Sequence, residues 1–269
     1  MIISKSNEQI KYISSLKTKK YRDIYSKYIL EGIKLVDEIS SGNKIPELIV
    51  YSEELLNKAA GGKELLIKLN NIETQILEVS KEVFSYLSDT VTPQGILAIM
   101  NIKKNNIDNL KEHILNNESF IILDKIQDSG NLGTIIRSSV SFDILNIIAT
   151  IGTTDIYSPK TIRSTMGAMN KVNIWYLNED ELKQAIEMLK QQNYEIIGTD
   201  LNAQQYLNDT TLHSKSVFVM GNEANGVEEK IKRLCNKNIK IEMQDTQESL
   251  NVGVATSILL YERYKNLLT

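Results

Sequence analysis

The chain has little of what fixes small secreted or metal-bound folds. Cys235 is its one cysteine, so no disulfide can close within it, and His113 and His213 are its two histidines. These give no His/Cys cluster at metal-ligand spacing, and no metal site is expected. No apolar run is long enough to cross a bilayer, and the opening Met1-Ile-Ile-Ser-Lys-Ser-Asn-Glu8 lacks the hydrophobic core of a signal peptide. A cytoplasmic location without a membrane partner is the expectation. Absent too are a G-x-G-x-x-G loop opening a helix, a G-x-x-x-x-G-K-[ST] loop and any Ser-His-acid arrangement. Dinucleotide and nucleoside-triphosphate sites of the usual kind are therefore unsupported.

What is present suits a soluble α/β protein. Its 269 residues, 42% hydrophobic and 24% charged, can bury a sizeable core and are enough for two domains. The net charge of −3 argues against a nucleic-acid partner until its distribution is considered. Residues 1–34 carry eight Lys or Arg against three acids, a local +5, so the other 235 residues sum to −8. A basic arm on an acidic body is what phosphate contacts need, and a solvated charged face is the competing explanation. Lys17, Lys19, Lys20 and Arg22 are the candidate RNA contacts, with Tyr21 either stacking on a base or packing half-buried.

Strand and helix patterns alternate along the chain. Strands are expected at 28–31, 48–51, 75–79 and 95–100, with helices at 7–16, 33–39, 53–69 (interrupted at Gly61-Gly62) and 81–87. Ser41-Gly42-Asn43 should close the second of these helices. This makes an N-terminal α/β domain over 1–105. Residues 106–117, rich in Lys and Asn around a brief helical pattern, are expected as a linker to a second domain over 118–269.

The second domain opens with the apolar run Phe120-Ile-Ile-Leu123, suited to a buried parallel strand. Asn131 then reads as the N-cap of a helix whose apolar face is Leu132, Ile135, Ile136 and Val140, leaving Gly133 and Arg137 together on another face. Arg137 is either a ligand group or a solvated arginine. Further strands are expected at 144–149, 172–177, 194–198 and 217–220, and helices at 161–168 and 182–189. Strand Val217–Met220 runs into Gly221-Asn-Glu-Ala-Asn-Gly-Val227, where a Gly-rich turn beyond a parallel strand exposes backbone to a ligand, or is a plain turn, with Glu223 at the edge. Finally Ile239–Met243 reads as a strand, Gln244–Asn251 as a polar loop, and Ser249 as the cap of a last helix. The first turn of that helix would favour an anionic or electron-rich ligand, with Asn251 pointing either into a site or at solvent.

Three stretches thus stand in order: Asn131-x-Gly133-x-x-x-Arg137, Gly221-Asn-Glu223-x-x-Gly226, and Ile241-x-Met243 leading to Glu248-Ser-Leu-Asn-Val252. Together they resemble the three motifs of the SpoU-type RNA ribose 2′-O-methyltransferases of the SPOUT superfamily, and Arg163-Ser-Thr-Met-Gly-Ala168 resembles a small-residue segment of that family. The resemblance covers 118–269 and extends more loosely to 1–105. It implies a C-terminal trefoil-knotted, mostly parallel sheet with helices on both faces, a smaller N-terminal α/β RNA-binding domain, and a homodimer formed through the knotted domain. It also implies S-adenosylmethionine held at Thr199, Met220, Gly221, Ile241, Met243 and Leu250. The methyl group would go to a ribose 2′-hydroxyl, of ribosomal RNA in preference to transfer RNA. Arg137, Asn131, Glu223, Ser249 and Asn251 would form the catalytic set. A guanidinium is always protonated and makes an awkward base, so an electrostatic and positioning role is expected of Arg137. A catalytically inactive RNA-binding protein of the same fold and a base methyltransferase of the same superfamily are the competing readings. Two positions depart from the family: Ala224, often glycine, and Gly253, frequently a small hydroxyl residue.

Overall fold

The structure, a computed structural model, describes residues 1–40, 45–69, 73–244 and 248–268. The expected turn at Ser41-Gly42-Asn43, and residues 245–247 of the polar loop, lie outside these. The chain divides into two compact units, residues 1–103 with 155–170 and residues 104–154 with 171–269.

The first unit runs α1 (Glu8–Ser15), α2 (Lys19–Tyr25), β1 (Lys27–Glu31), α3 (Ile33–Ser40), β2 (Leu48–Tyr51), α4 (Glu53–Leu56), α5 (Gly62–Leu69), β3 (Gln75–Glu78), α6 (Lys81–Leu87) and β4 (Ile96–Asn101). Its sheet has the order β1-β4-β2-β3, with β4 antiparallel to β1 and β2, and β3 parallel to β2. Alternate side chains enter two cores. Leu30, Ile49 and Ala98 pack with Val36 and Leu65, whereas Ile29, Val50 and Ile99 pack with Ile10, Ile13 and Phe84. The break expected at Gly61-Gly62 is real, because a Cβ on Gly62 would stand 2.0 Å from the Leu56 carbonyl oxygen and Gly61 has φ +80°.

The second unit begins with α7 (Ile107–Leu115), β5 (Phe120–Leu123), α8 (Ser129–Ser141) and β6 (Asn146–Thr150). Residues 106–117, expected as a linker, are therefore mostly helix. A capping box joins Asn106 and Asn109, Leu110 and Ile114 are buried one turn apart, and Asn109 accepts from the Trp175 indole at 2.7 Å. Their polar composition belongs to the outer face of a packed helix. After β6 the chain enters the first unit as α9 (Pro159–Thr165), where Ile162 joins the Leu30 core. The helix expected to reach Ala168 stops at Thr165, because Met166 turns left-handed at φ 50°.

The chain returns as β7 (Asn173–Leu177), α10 (Glu179–Gln191), β8 (Glu195–Thr199), β9 (Gln205–Tyr206), β10 (Ser216–Met220), α11 (Glu229–Lys232), β11 (Lys237–Lys240) and α12 (Val252–Leu268). Seven strands form one sheet in the order β7-β6-β5-β10-β8-β11-β9, parallel at every pairing. Strand β5 lies between neighbours reached in opposite directions, so the order reverses between β5 and β10. In open parallel sheets ligands bind beyond the carboxyl ends at such a reversal. Helix α12 packs along α8 and against β10.

Candidate active site

The carboxyl ends of β5, β10, β8 and β11 are consecutive in the sheet, and the motif residues gather there. Met220 ends β10, Thr199 ends β8, and Ile241 and Met243 follow β11. Met220 and Gly221 are buried, and Thr199, Ile241, Met243 and Leu250 are half-buried. The Thr199 hydroxyl donates to the Val219 carbonyl at 2.9 Å, tying the ends of β8 and β10 together. Strand β11 stops at Lys240, short of the expected Met243, which leaves Ile241 and Met243 in the loop beyond it.

The loop after β10 folds onto itself. Asn222 and Gly226 exchange backbone hydrogen bonds at 3.0 and 2.9 Å, and Asn222 Oδ1 accepts from the amides of Ala224 and Asn225. A Cβ on Gly221 would lie 2.1 Å from the Gly226 carbonyl carbon and the Val227 nitrogen, so only glycine fits. The left-handed conformation in this loop falls at Gly226, φ +68°, and not at Ala224, whose departure from the family pattern therefore costs the turn nothing.

A line of polar groups joins three loops. Glu223 accepts from the Gln127 amide (3.1 Å), the Asp128 amide (3.0 Å) and Asn131 Nδ2 (3.0 Å). Asn131 Oδ1 in turn accepts from Asn251 Nδ2 at 2.7 Å, and Asn251 Oδ1 accepts from the amides of Gly253 and Val254. Partial burial pushes the Glu223 carboxyl up, but the Asn131 amide and the backbone donors outweigh it and hold it below the usual carboxylate range.

Two expected caps are thereby reassigned. Asp128 caps α8, accepting from the Asn131 amide at 2.8 Å, and Asn131 sits in the first turn with its side chain free to bridge Glu223 and Asn251. Asn251 holds the first free amides of α12 in place of Ser249, which is exposed. Those amides are therefore engaged by the protein itself, not offered to an anion. Arg137 projects from α8 about 9 Å of helix rise beyond Asn131. It is exposed, and its guanidinium has no hydrogen bond or ion pair among the described residues.

Other groups that hold the rim were not singled out from sequence. Asp124, fully buried just after β5, accepts from the Glu228 amide (2.8 Å) and the Thr150 hydroxyl (3.1 Å), and burial pushes its carboxyl up. Asn222 Nδ2 donates to the Lys125 carbonyl at 2.9 Å. An aspartate directly after an apolar parallel strand was the available signal.

The basic candidates divide. Arg22 is 4% exposed and donates to the carbonyls of Leu16 (2.8 Å) and Lys17 (2.6 Å) and to Asp155 (2.5 Å). It is an internal strut and not an RNA contact. Lys17 Nζ donates to the carbonyls of Tyr86 and Ser88, both at 2.8 Å, at the end of α6. Lys19 and Lys20 are exposed, Lys19 beside Asp23 at 2.9 Å. Among the described residues no group of three or more His, Cys, Asp or Glu is placed to hold a metal, and no helix is long and apolar enough to cross a membrane.

Comparison with known proteins gives the family. Residues 118–261 match the SpoU rRNA Methylase family, and residues 7–98 match the MRM3-like substrate binding domain. The chain is 27% identical over 263 residues, 97% of each chain, to the 23S rRNA (guanosine(2553)-2′-O)-methyltransferase RlmP of Bacillus subtilis. It is 28% identical to rRNA methyltransferase 3A, mitochondrial, of Danio rerio, over 97% of this chain and 69% of that protein. The crystal structure of an AdoMet-bound rRNA methyltransferase from Sinorhizobium meliloti superposes with a TM-score of 0.84 at 28% identity, covering 100% of this chain and 98% of that one. With the family match spanning more than half its length and the motif loops meeting at one sheet rim, this chain belongs to the SpoU rRNA methylase family.

Proposed function

We propose that the protein methylates a ribose 2′-hydroxyl of ribosomal RNA with S-adenosylmethionine as donor. The observation that carries the site assignment is the Glu223–Asn131–Asn251 line, which fastens the three motif loops to one another at the reversal of strand order. Thr199, Met220, Gly221, Ile241, Met243 and Leu250 would hold the donor. The close fold of Gly221 on Gly226 and the half-buried rim of neighbouring strand ends suit a ligand held mainly through main chain. When bound, S-adenosylmethionine supplies a methyl group on a positively charged sulfur.

An alcohol is a weak nucleophile, so the protein's task is to align it and ease loss of its proton. Arg137, exposed and unengaged, binds the phosphate beside the target and stabilises developing negative charge on the ribose oxygen. Asn131, oriented from both ends by Glu223 and Asn251, positions the sugar, and Ser249 offers its hydroxyl at the same rim. The C-terminal segment is tied as the trefoil knot that the family resemblance implies, and two copies pair through that domain. Residues 7–98 bind the RNA, and the protein works in the cytoplasm without a metal.

The test is methyl incorporation from labelled S-adenosylmethionine into purified ribosomal and transfer RNA, followed by nucleoside analysis. Label in 2′-O-methylated nucleosides of ribosomal RNA is expected. Label on a base, or in transfer RNA alone, overturns the assignment. Calorimetric binding of the donor with no incorporation into any RNA leaves an inactive RNA-binding protein.

A further inference from the structure

The first unit carries an aromatic surface outside the three motif loops. On α2, Tyr21 and Tyr25 lie one turn apart with rings nearly parallel, 14° between planes and 6.2 Å between centroids. They are 38% and 43% exposed, and Ile24 beside them is 60% exposed. Tyr25 is braced by Tyr12 of α1, edge-on at 5.0 Å and 82°. The helix itself is fixed by Arg22, which ties it to the Leu16 and Lys17 carbonyls and to Asp155. The rings are thus held from behind and open in front.

Lysines lie over several tyrosines of this unit, one of them in the pair. Lys20 Nζ lies 5.8 Å from the Tyr21 centroid, and Lys27 Nζ lies 5.9 Å from that of Tyr12. Lys5 and Lys17 sit 5.4 and 5.8 Å from the centroid of Tyr86, itself 41% exposed. A purely solvated charged face would not need exposed tyrosines at helical spacing. A protein-docking face would not need this density of lysine, since lysine is depleted at such interfaces.

We infer that Tyr21 and Tyr25 form a stacking platform for unpaired nucleotides of the RNA substrate, with Lys19 and Lys20 holding the adjoining phosphates. Duplex RNA hides the faces of its bases, so only single-stranded or looped nucleotides can use the rings, while either form can use the lysines. The inference rests on RNA being the substrate, and it adds which form of RNA this unit selects.

The experiment measures binding of the full chain to a short fluorescent oligoadenylate and to an RNA duplex of equal length, across a series of salt concentrations. Tyr21→Ala should weaken oligoadenylate binding about tenfold, the usual effect of losing one stacked base, and leave duplex binding within about twofold. Tyr21→Phe, which keeps the ring, should bind as the parent does. Lys20→Ala should weaken both ligands and shrink the slope of log affinity against log salt by about 0.7 on the single strand. Unchanged oligoadenylate binding by Tyr21→Ala overturns the platform, as does equal loss on both ligands. Donor affinity and methyl incorporation measured on the same preparations separate the two readings. Intact methylation with no tyrosine effect removes the platform alone, whereas a clear tyrosine effect without methylation removes the catalytic assignment alone.

Discussion

Arg137 and Arg22 show one residue type in opposite surroundings. Arg22 is buried, and each of its three guanidinium nitrogens donates to a carbonyl or to the Asp155 carboxylate. Removing one partner of a buried ion pair costs about 3–5 kcal/mol, because the other charge is left unpaired. Arg22→Ala should lower unfolding free energy by about 3 kcal/mol in urea titration, since Asp155 keeps some exposure, whereas Lys19→Ala with Lys20→Ala should weaken RNA binding and leave stability within about 0.5 kcal/mol. The Arg137 guanidinium, by contrast, is exposed and makes no hydrogen bond or ion pair among the described residues. Arg137→Ala should cut methyl incorporation by about 10²–10³-fold, the usual effect of losing one charge-stabilising donor, with donor affinity by calorimetry unchanged. Equal loss of both would place Arg137 in the donor site. Glu223 adds a pH dependence. Its folded carboxyl releases its proton at lower pH than the unfolded one, so its contribution is complete above the ordinary carboxylate range and is lost as pH falls through the folded value. Glu223→Gln should be less stable at neutral pH by up to about 1 kcal/mol and should show a shallower loss of stability on acidification, both read from urea midpoints against pH.

At the scale of elements, α8 and α12 decide how closely the first and third motifs approach. Gly253 stands where they meet: a Cβ there would lie 3.1 Å from both Cβ and Cγ2 of Thr134, whose hydroxyl is tied to the Gly130 carbonyl at 3.0 Å. In isolation, Gly253→Ala would favour the helix by up to about 1 kcal/mol. The contact opposes this, because Thr134 Cβ is fixed to the α8 backbone and can yield only if the helix does. Overpacking of this kind costs about 1–3 kcal/mol, so Gly253→Ala should destabilise the fold and reduce methyl incorporation through a displaced Asn251; a rise in the urea midpoint would refute this. The sequence pattern could not have revealed it, because a glycine inside a helix reads as a propensity loss until its neighbour is known. The same holds elsewhere. The apolar parallel strands, the break at Gly62 and the turn of Gly221 were legible because apolar runs and glycines are local signals, whereas the two-residue β9, Gln205–Tyr206, has no apolar run and was not. The caps on α8 and α12 were displaced because several Ser, Asp and Asn residues compete within a few positions and tertiary hydrogen bonds choose among them. Arg22 was misread because its acceptor, Asp155, is remote in sequence, and 106–117 because a one-sided helix has a polar composition.

At the scale of the whole molecule, α12 leaves something uncovered. Val254, Tyr261 and Leu268 recur every seven residues and are 47%, 51% and 71% exposed, a stripe along one side of a helix whose other side is buried against α8 and β10. Beside it, the Phe142 ring lies 5.9 Å from both Tyr261 and Tyr264. A seven-residue apolar stripe of this kind is suited to lie against a second helix, and a two-fold pairing would set the stripe of one copy against that of its partner. Asn251 caps this helix and belongs to the polar line through Asn131 and Glu223, so such pairing would involve the helix that carries part of the candidate site. Sedimentation velocity on the full chain should therefore give a dimer. Val254→Asp, which places a charge in the stripe, should shift it toward monomer and reduce methyl incorporation in proportion to the dimer lost, with an unchanged urea midpoint showing that the fold is kept. A monomeric parent protein with full activity would remove the homodimer from the proposed function, and an active Val254→Asp monomer would show that each copy completes its own site.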